Sequence, residues 1–498
     1  MNHLDFFWGV GSSGRNKFMA RPLTKSSFVL LALGLWTFAC PASQSDDDEF
    51  NLLNQQVRQL FEQRRYQEGI SLEEKAVKLA KRVYGLESPN TATSLNNLAA
   101  MHQDLGEYAK AEPLYQEALR IRQKVLGPEH PDTAISLSNL ALFYQAIGET
   151  AKAEQLFQEA LRIRQKVLGR EHPDTAESLN NLASLYWARG EYAKVQPLLE
   201  EALRIRQKVL GPEDSDTAIS LNNLADLYRA MGEYAKAEPL YQEALRIWQK
   251  VLGPEHPDTA ISLNHLAELY RTMGQYAKAE PLYQEALRIR QKVLGPEHSD
   301  TAISFNDLAL LYQEMGEYAK AESLYQEALR ITQKVLGPEH RATAQYLSNL
   351  GSLYKDMGVY GKAEPLLQEA LRIRQKVLGP EHPDTAQSLN NLAVLYQEMD
   401  EYGKAEPLFH EAIRIYQKVL GPEHPDMASS LYNLALLYQT MGKYAEAEQL
   451  YQQVLQIDQK FFGSEHPDTA ISLNHLALLY GAMGVRQSRT ALPGGAPD

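Results

Sequence analysis

At 498 residues, with 50 Lys plus Arg against 63 Asp plus Glu, the chain carries a formal net charge of -13. That balance disfavours nucleic acid, whose phosphates reward basic surfaces and repel acidic ones. The single cysteine, Cys40, excludes an internal disulfide framework and a Cys-based zinc site.

In chain order, the first legible stretch begins at Met19 with "MARPLTKSSFVLLALGLWTFACPAS". Arg21 and Lys25 precede the apolar run Phe28–Ala39, and small residues follow. This is the order of a secretory signal. The run is 12 residues long, too short to span a hydrocarbon core of about 30 Å. Met19 is read as the true start, because the preceding 18 residues only delay the signal. Cys40, directly after Thr37-Phe38-Ala39, resembles a bacterial lipoprotein cleavage box, with Thr37 where Leu is usual. A lipid-anchored Cys40, ordinary secretion and an incidental thiol all stay open. The expectation is an exported chain, in the bacterial periplasm or anchored as a lipoprotein, with a cytoplasmic chain as the alternative. Residues 1–45 are assigned to the leader, and Ser45–Glu49, "SDDDE", to a solvated spacer.

One period governs the rest. Asn97-Leu98 recurs as Asn139-Leu140, Asn181-Leu182 and Asn223-Leu224, and on to His475-Leu476, always 42 residues apart. Tyr66 and Gly85 keep step with Tyr108 and Gly127, so residues 46–92 are a degenerate capping copy, with Arg64 in place of the turn glycine. The repeats occupy 46–484 and end in an unpaired helix, and 485–498 reads as a disordered tail. Each copy contains two helices. In the first, Leu137, Leu140, Ala141 and Tyr144 fall on one stripe; in the second, Tyr108, Ala111, Tyr115, Ala118 and Leu119 do. Arg120, Arg122 and Lys124 crowd the end of the second helix, where cations favour the negative pole.

The connector "LGPEHPDTA" invites a metal or catalytic reading because a His and two carboxylates recur in it. Its residues serve a turn instead. Gly127 closes one helix, Pro128 blocks continuation, Pro131 suits a first turn and Asp132 faces free N–H groups there. Only the His lacks a connector role on this reading. Equivalent loops lie two helix widths apart, roughly 15–20 Å, whereas zinc needs ligands about 2 Å from one ion. Asp214 also replaces the His in one copy. No metal and no cofactor are expected. Phosphate-binding loops, G-x-S-x-G and H-E-x-x-H are missing from the sequence, so no enzyme is expected.

The order Leu137, Leu140, Ala141, Tyr144, Gly148 and Gly106, Tyr108, Ala111, Tyr115, Ala118, Leu119 resembles the tetratricopeptide repeat. The longer unit, with "EALRIRQKVLGPEHPDTA" leading into "SLNNLA", is similar to the repeats of kinesin light chain, and the bacterial proteins that carry such repeats fit better than a motor adaptor. The resemblance implies an all-α, right-handed α-solenoid of about ten antiparallel helix pairs plus the unpaired C-terminal helix. It also implies a non-enzymatic scaffold whose first helices line a groove for extended peptide segments of partner proteins.

Two asparagine rows would line that groove. The first contains Asn96, Asn180, Asn222, Asn264, Asn306 and Asn390, and the second Asn97, Asn139, Asn181, Asn223 and Asn391. An amide both donates and accepts, which suits an extended backbone, and the resemblance implies that these asparagines grip one. Bonding to the neighbouring repeat is the other reading. Trp187, Asp226, Arg229, Glu268 and Arg271 vary from copy to copy and are expected on the same face. The mixed charge predicts no simple carboxylate clamp. A structural or self-associating array without a groove ligand, joined through the unpaired C-terminal helix, is the alternative. Membrane contact is expected only through Cys40.

Overall fold

The computed structural model describes residues 44–62, 65–464 and 466–490. The leader with Met19 and Cys40, the turn residue Arg64 and residues 491–498 lie outside the described residues.

The described residues form helices and turns only. The first pair is α1 (Gln44–Glu62) and α2 (Tyr66–Val83), then α3 (Pro89–Asp104) and α4 (Tyr108–Val125), then α5 (Pro131–Ala146) and α6 (Thr150–Val167). The middle pairs are α7 (Pro173–Ala188) and α8 (Tyr192–Val209), α9 (Ser215–Ala230) and α10 (Tyr234–Val251), and α11 (Pro257–Thr272) and α12 (Tyr276–Val293). Next come α13 (Ser299–Glu314) and α14 (Tyr318–Val335), then α15 (Arg341–Asp356) and α16 (Tyr360–Val377). The last pairs are α17 (Pro383–Glu398) with α18 (Tyr402–Val419) and α19 (Pro425–Thr440) with α20 (Tyr444–Phe462). The unpaired α21 (Pro467–Thr490) follows. The chain is an all-α solenoid of consecutive antiparallel pairs, ten among the described residues, plus this last helix. Two compact units divide the described residues: one holds those from Gln44 to Arg229 with Glu233–Leu350, the other Ala230–Gly232 and those from Gly351 to Thr490.

Each hairpin completes its core with its neighbour. Ala134 and Leu137 of α5 pack with Ala160 and Ile163 of α6, and Leu119 of the preceding α4 closes the cluster. The same cluster recurs at Ala176, Leu179, Ala202 and Ile205 with Leu161, and at Ala260, Leu263, Ala286 and Ile289 with Leu245. Each of these first helices is thus wedged between two second helices, and none of these hairpins covers its own apolar stripe.

The connectors are as regular as the helices. Gly127 takes φ 95°, a left-handed conformation open to glycine, and Thr133 Oγ1 donates to its carbonyl at 2.8 Å. The connector histidine, which the sequence left without a task, is the N-cap. His130 Nδ1 accepts the Asp132 backbone N–H at 3.1 Å, and His172, His256, His298, His382, His424 and His466 repeat the bond. In the copy without histidine, Asp214 Oδ1 accepts the Asp216 N–H at 2.8 Å, so the substitution keeps the cap.

His340 does more. Its Nδ1 accepts the Ala342 N–H at 3.1 Å, and its Nε2 lies 2.6 Å from the Asp104 carbonyl, 236 residues earlier. One neutral tautomer, with the proton on Nε2, satisfies both bonds. Leu336 packs beside it on the cluster of Val57, Tyr66 and Met101. The larger unit therefore brings its seventh connector against its first hairpins.

Capping by histidine gives a direct test at His256, which is half-buried and caps through Nδ1 alone. His256→Asp should leave stability within a few tenths of a kcal/mol, whereas His256→Ala should lower it by about 1 kcal/mol, read from urea unfolding.

Candidate functional site

The two arginines of each "RIR" run part company. Arg120 is half exposed and pairs with Glu117 at 2.8 Å and with Glu87 of the preceding connector at 3.2 Å. This surface ladder recurs at Arg162, Arg204, Arg246, Arg288, Arg330 and Arg414, where exposure to water keeps each rung weak. Arg122, two residues on, is 2 % exposed. Its guanidinium donates to the Asp132 carbonyl and to Ser136 Oγ, each at 3.0 Å, and to Thr93 Oγ1 at 3.0 Å. One side chain thereby staples α3, α4 and α5. Arg164, Arg206, Arg290 and Arg374 repeat the bonds to the following first helix.

From the sequence alone these arginines read as helix-end charges. One signal was present: the position also holds Trp248, Thr332, Tyr416 and Asp458, all buried, which a surface charge pair would not tolerate.

On the first helices, the first asparagine row faces the neighbouring repeat. Asn96 Nδ2 donates to Ser136 Oγ at 3.1 Å, and Asn222 to Ser262 Oγ at 3.2 Å. Asn264 reaches Asp307 at 3.2 Å. Asn306 and Asn390 accept from Asn349 and Asn433 of the next copy at 2.6 and 3.2 Å. Asn96, Asn222, Asn306 and Asn390 are buried, while Asn180 and Asn264 are half-buried. The Oδ1 atoms of Asn96, Asn180, Asn222 and Asn264 are enclosed without a hydrogen-bond partner. This row is spent largely on packing one repeat against the next.

The second row divides. Asn97 and Asn181 are buried. Asn139, Asn223, Asn391 and Asn433 are half-buried, as are His265 and Asp307 in the same register. Half-buried Ile135, Ile219, Ile261 and Ile303 lie one turn before this register. These two registers form the open face of the first helices.

The variable charges meet one another. Arg271 forms a fork on Glu268 at 2.6 and 2.9 Å and also pairs with Glu314 of the next copy. Arg229 lies 3.7 Å from Glu268, and the Tyr283 hydroxyl donates to Glu268 at 2.7 Å. Asp226 accepts from the Tyr241 hydroxyl and lies 3.2 Å from His265 Nδ1, with the Tyr241 and His265 rings stacked at 5.9 Å. Burial pushes Asp226 up, with His265 and Arg229 opposing. Glu268 is enclosed, yet Arg271 and Arg229 overcome that burial and hold its carboxyl well below the usual carboxylate range. Trp187 is buried against Tyr192 at 4.7 Å. The structure thus brings Asp226, Arg229, Glu268 and Arg271 together as an internal network that, with Glu314, links three consecutive first helices.

In the smaller unit, a cavity of about 500 Å³ opens among Ile413, Met427, Leu431 and Ile457. Gln453 and Gln456 line it, at the positions where Glu117 and Arg120 stand in the α4 rung of the surface ladder. Among the described residues, no group of three or more His, Cys, Asp or Glu is placed to hold a metal ion, and no helix is long and apolar enough to cross a membrane.

A tetratricopeptide repeat model matches residues 48–124, 93–166, 132–208, 216–292, 260–334, 300–376, 341–418, 390–460 and 426–485. The chain belongs to the tetratricopeptide repeat family. Repeats of this family mediate protein–protein interactions. Among solved structures, the chain is similar to BtubC (BKLC) from P. vanneervenii, at 30% identity over 46% of this chain and 91% of that one, TM-score 0.38. It is also similar to a Podosopora anserina kinesin light chain protein with nearly identical TPR-like repeats, at 32% identity over 41% of this chain and 98% of that one, TM-score 0.35. A Rap protein complexed with Competence and Sporulation Factor matches at 13% identity over 76% of this chain and 99% of that one, TM-score 0.49. No curated protein sequence matches.

Beside Asn97 lies one group out of keeping with the pattern. Glu73 takes the place that Tyr115 holds in the next copy, and burial pushes its carboxyl up to about 8, with Ser94 and Asn97 opposing. Its folded value exceeds its ordinary 4.5. Between those values the unfolded chain has lost the proton that the folded chain keeps, so stability falls as pH rises and levels off above about 8. Thermal melts across that window should show the first hairpins weakening with pH, and Glu73→Gln should remove the slope.

Proposed function

We propose that the chain is a non-enzymatic scaffold that holds extended segments of partner proteins along the open face of its first helices. The observation that carries this reading is the division of the asparagine rows. The first row and the charged network are consumed in joining repeats, whereas Asn139 and Asn223 keep part of their surface open beside Ile135 and Ile219, and Asn391 keeps part of its surface open as well. A flat amide next to an aliphatic side chain can bond a backbone and seat an apolar anchor. A ligand with apolar anchors and interspersed polar residues fits that face. It would pay ordering entropy on binding, so several repeats must engage together for useful affinity. Export, with Cys40 acylated or the leader cleaved, is part of the same proposal, and mass analysis of the mature N-terminus reads it directly.

Two triple variants separate recognition from packing. Asn139→Ala, Asn223→Ala and Asn391→Ala together should weaken peptides selected from a display library by about tenfold or more, with the melting temperature nearly unchanged. Asn222→Ala, Asn264→Ala and Asn306→Ala together should lower the melting temperature instead. A library that enriches nothing, or peptides that bind the first variant as tightly as the native chain, would favour an array without a groove ligand.

A further inference from the structure

The last helix lacks the cover that the other first helices have. Ala470, Leu473, Ala477 and Tyr480 of α21 stand where Ala134, Leu137, Ala141 and Tyr144 stand in α5. The α5 residues are all buried, and the α21 residues are all exposed, Leu473 by 46% and Tyr480 by 45%. Leu478 adds a further 54% exposed leucine. Earlier first helices turn at a positive-φ residue such as Gly148, but α21 runs on past Gly484 to Thr490. No second helix follows it among the described residues.

An end repeat needs a polar outer face to stay soluble. The first helix has one, with Asp48, Glu49, Gln55 and Gln56 exposed. From Ala470 to Met483, α21 carries no Asp, Glu, Lys or Arg.

We propose that a second copy of this chain covers α21, the two helices packing antiparallel about a two-fold axis. Ala470, Leu473, Asn474, Ala477, Leu478 and Gly481 are all exposed and form one stripe at i, i+3, i+4, i+7, i+8 and i+11. Set antiparallel against itself, that stripe places Leu473 opposite Leu478, Asn474 opposite Ala477 and Ala470 opposite Gly481 of the second copy. The small pairs let the backbones approach at the ends while the leucines fill the space between. A two-fold contact must be complementary to itself, and this one is. It also continues an interface the chain already makes, since each interior copy buries the equivalents of Ala470, Leu473 and Ala477 against a neighbouring helix. One helix pair buries less than the roughly 1,200 Å² of a standard interface, so the dimer is weak and forms in about the micromolar range. The proposal does not rest on the groove reading.

Sedimentation of the full chain over about a hundredfold concentration range around the micromolar should show mass rising toward twice that of the monomer. Leu473→Glu or Leu478→Glu, both at exposed positions, should hold it at the monomer without lowering the melting temperature. In a Cys40→Ser background, Leu473→Cys with Leu478→Cys should give an interchain disulfide, and either cysteine alone should give far less. A chain that stays monomeric throughout the range, because its own residues or nothing covers α21, overturns the proposal. So does a dimer indifferent to both glutamates.

Discussion

The second helix of each copy cannot be satisfied by its own first helix. Ala111, Tyr115, Ala118 and Ile121 of α4 are all buried, and Arg122 beside them is enclosed as well. Their cover comes from α3 on one side and α5 on the other, and the Arg122 guanidinium bonds to both. A charged group that far from water is tolerated only while its hydrogen bonds are made. Where Arg122, Arg164, Arg206, Arg290 and Arg374 stand, the register between neighbouring copies is therefore fixed by a bond that fails if either helix slides. A step of 42 residues with no insertion or deletion is what such a junction requires.

That requirement sorts the remaining polar residues. Groups on the flanks of a first helix are drawn into the junctions, as Asn96, Asn222 and Asn306 are, and as Asp226, Glu268 and Arg271 are where charge replaces amide. Only the register that points away from both flanking second helices escapes. It holds Asn139 and Asn223, whereas His265 and Asp307 in the same register are drawn back in by Asp226 and Asn264. The ends differ for the same reason. Among the described residues, the first helix presents polar side chains, and the last exposes the first-helix stripe that the copies before it bury.

Much of the fold was legible because the chain repeats itself. The period placed the helix pairs and the unpaired last helix, and Gly-Pro and Pro-Asp placed the connectors. What stayed hidden depended on direction around a helix axis and on partners far along the chain. Arg120 and Arg122 are two residues apart in one motif, and only packing tells the ladder from the staple. The asparagine rows are adjacent in sequence, and an amide suits a guest backbone and a neighbouring serine equally well. The connector histidine was legible in one respect, since Asp214 at its position already pointed to an acceptor for a backbone N–H. The contact of His340 with Asp104 had no local sign at all.

The array is held by junctions between copies rather than by hairpins within them, and hydrogen exchange after Arg290→Ala measures that most directly. Removing the guanidinium leaves Ser304 Oγ and the Asp300 carbonyl without the donor that ties α12 to α13. Protection should fall by about tenfold or more in those two helices and their immediate partners, with distant copies unchanged, because stability along such an array is a sum of neighbouring terms. Uniform loss of protection along the chain, or no loss at that junction, would contradict it.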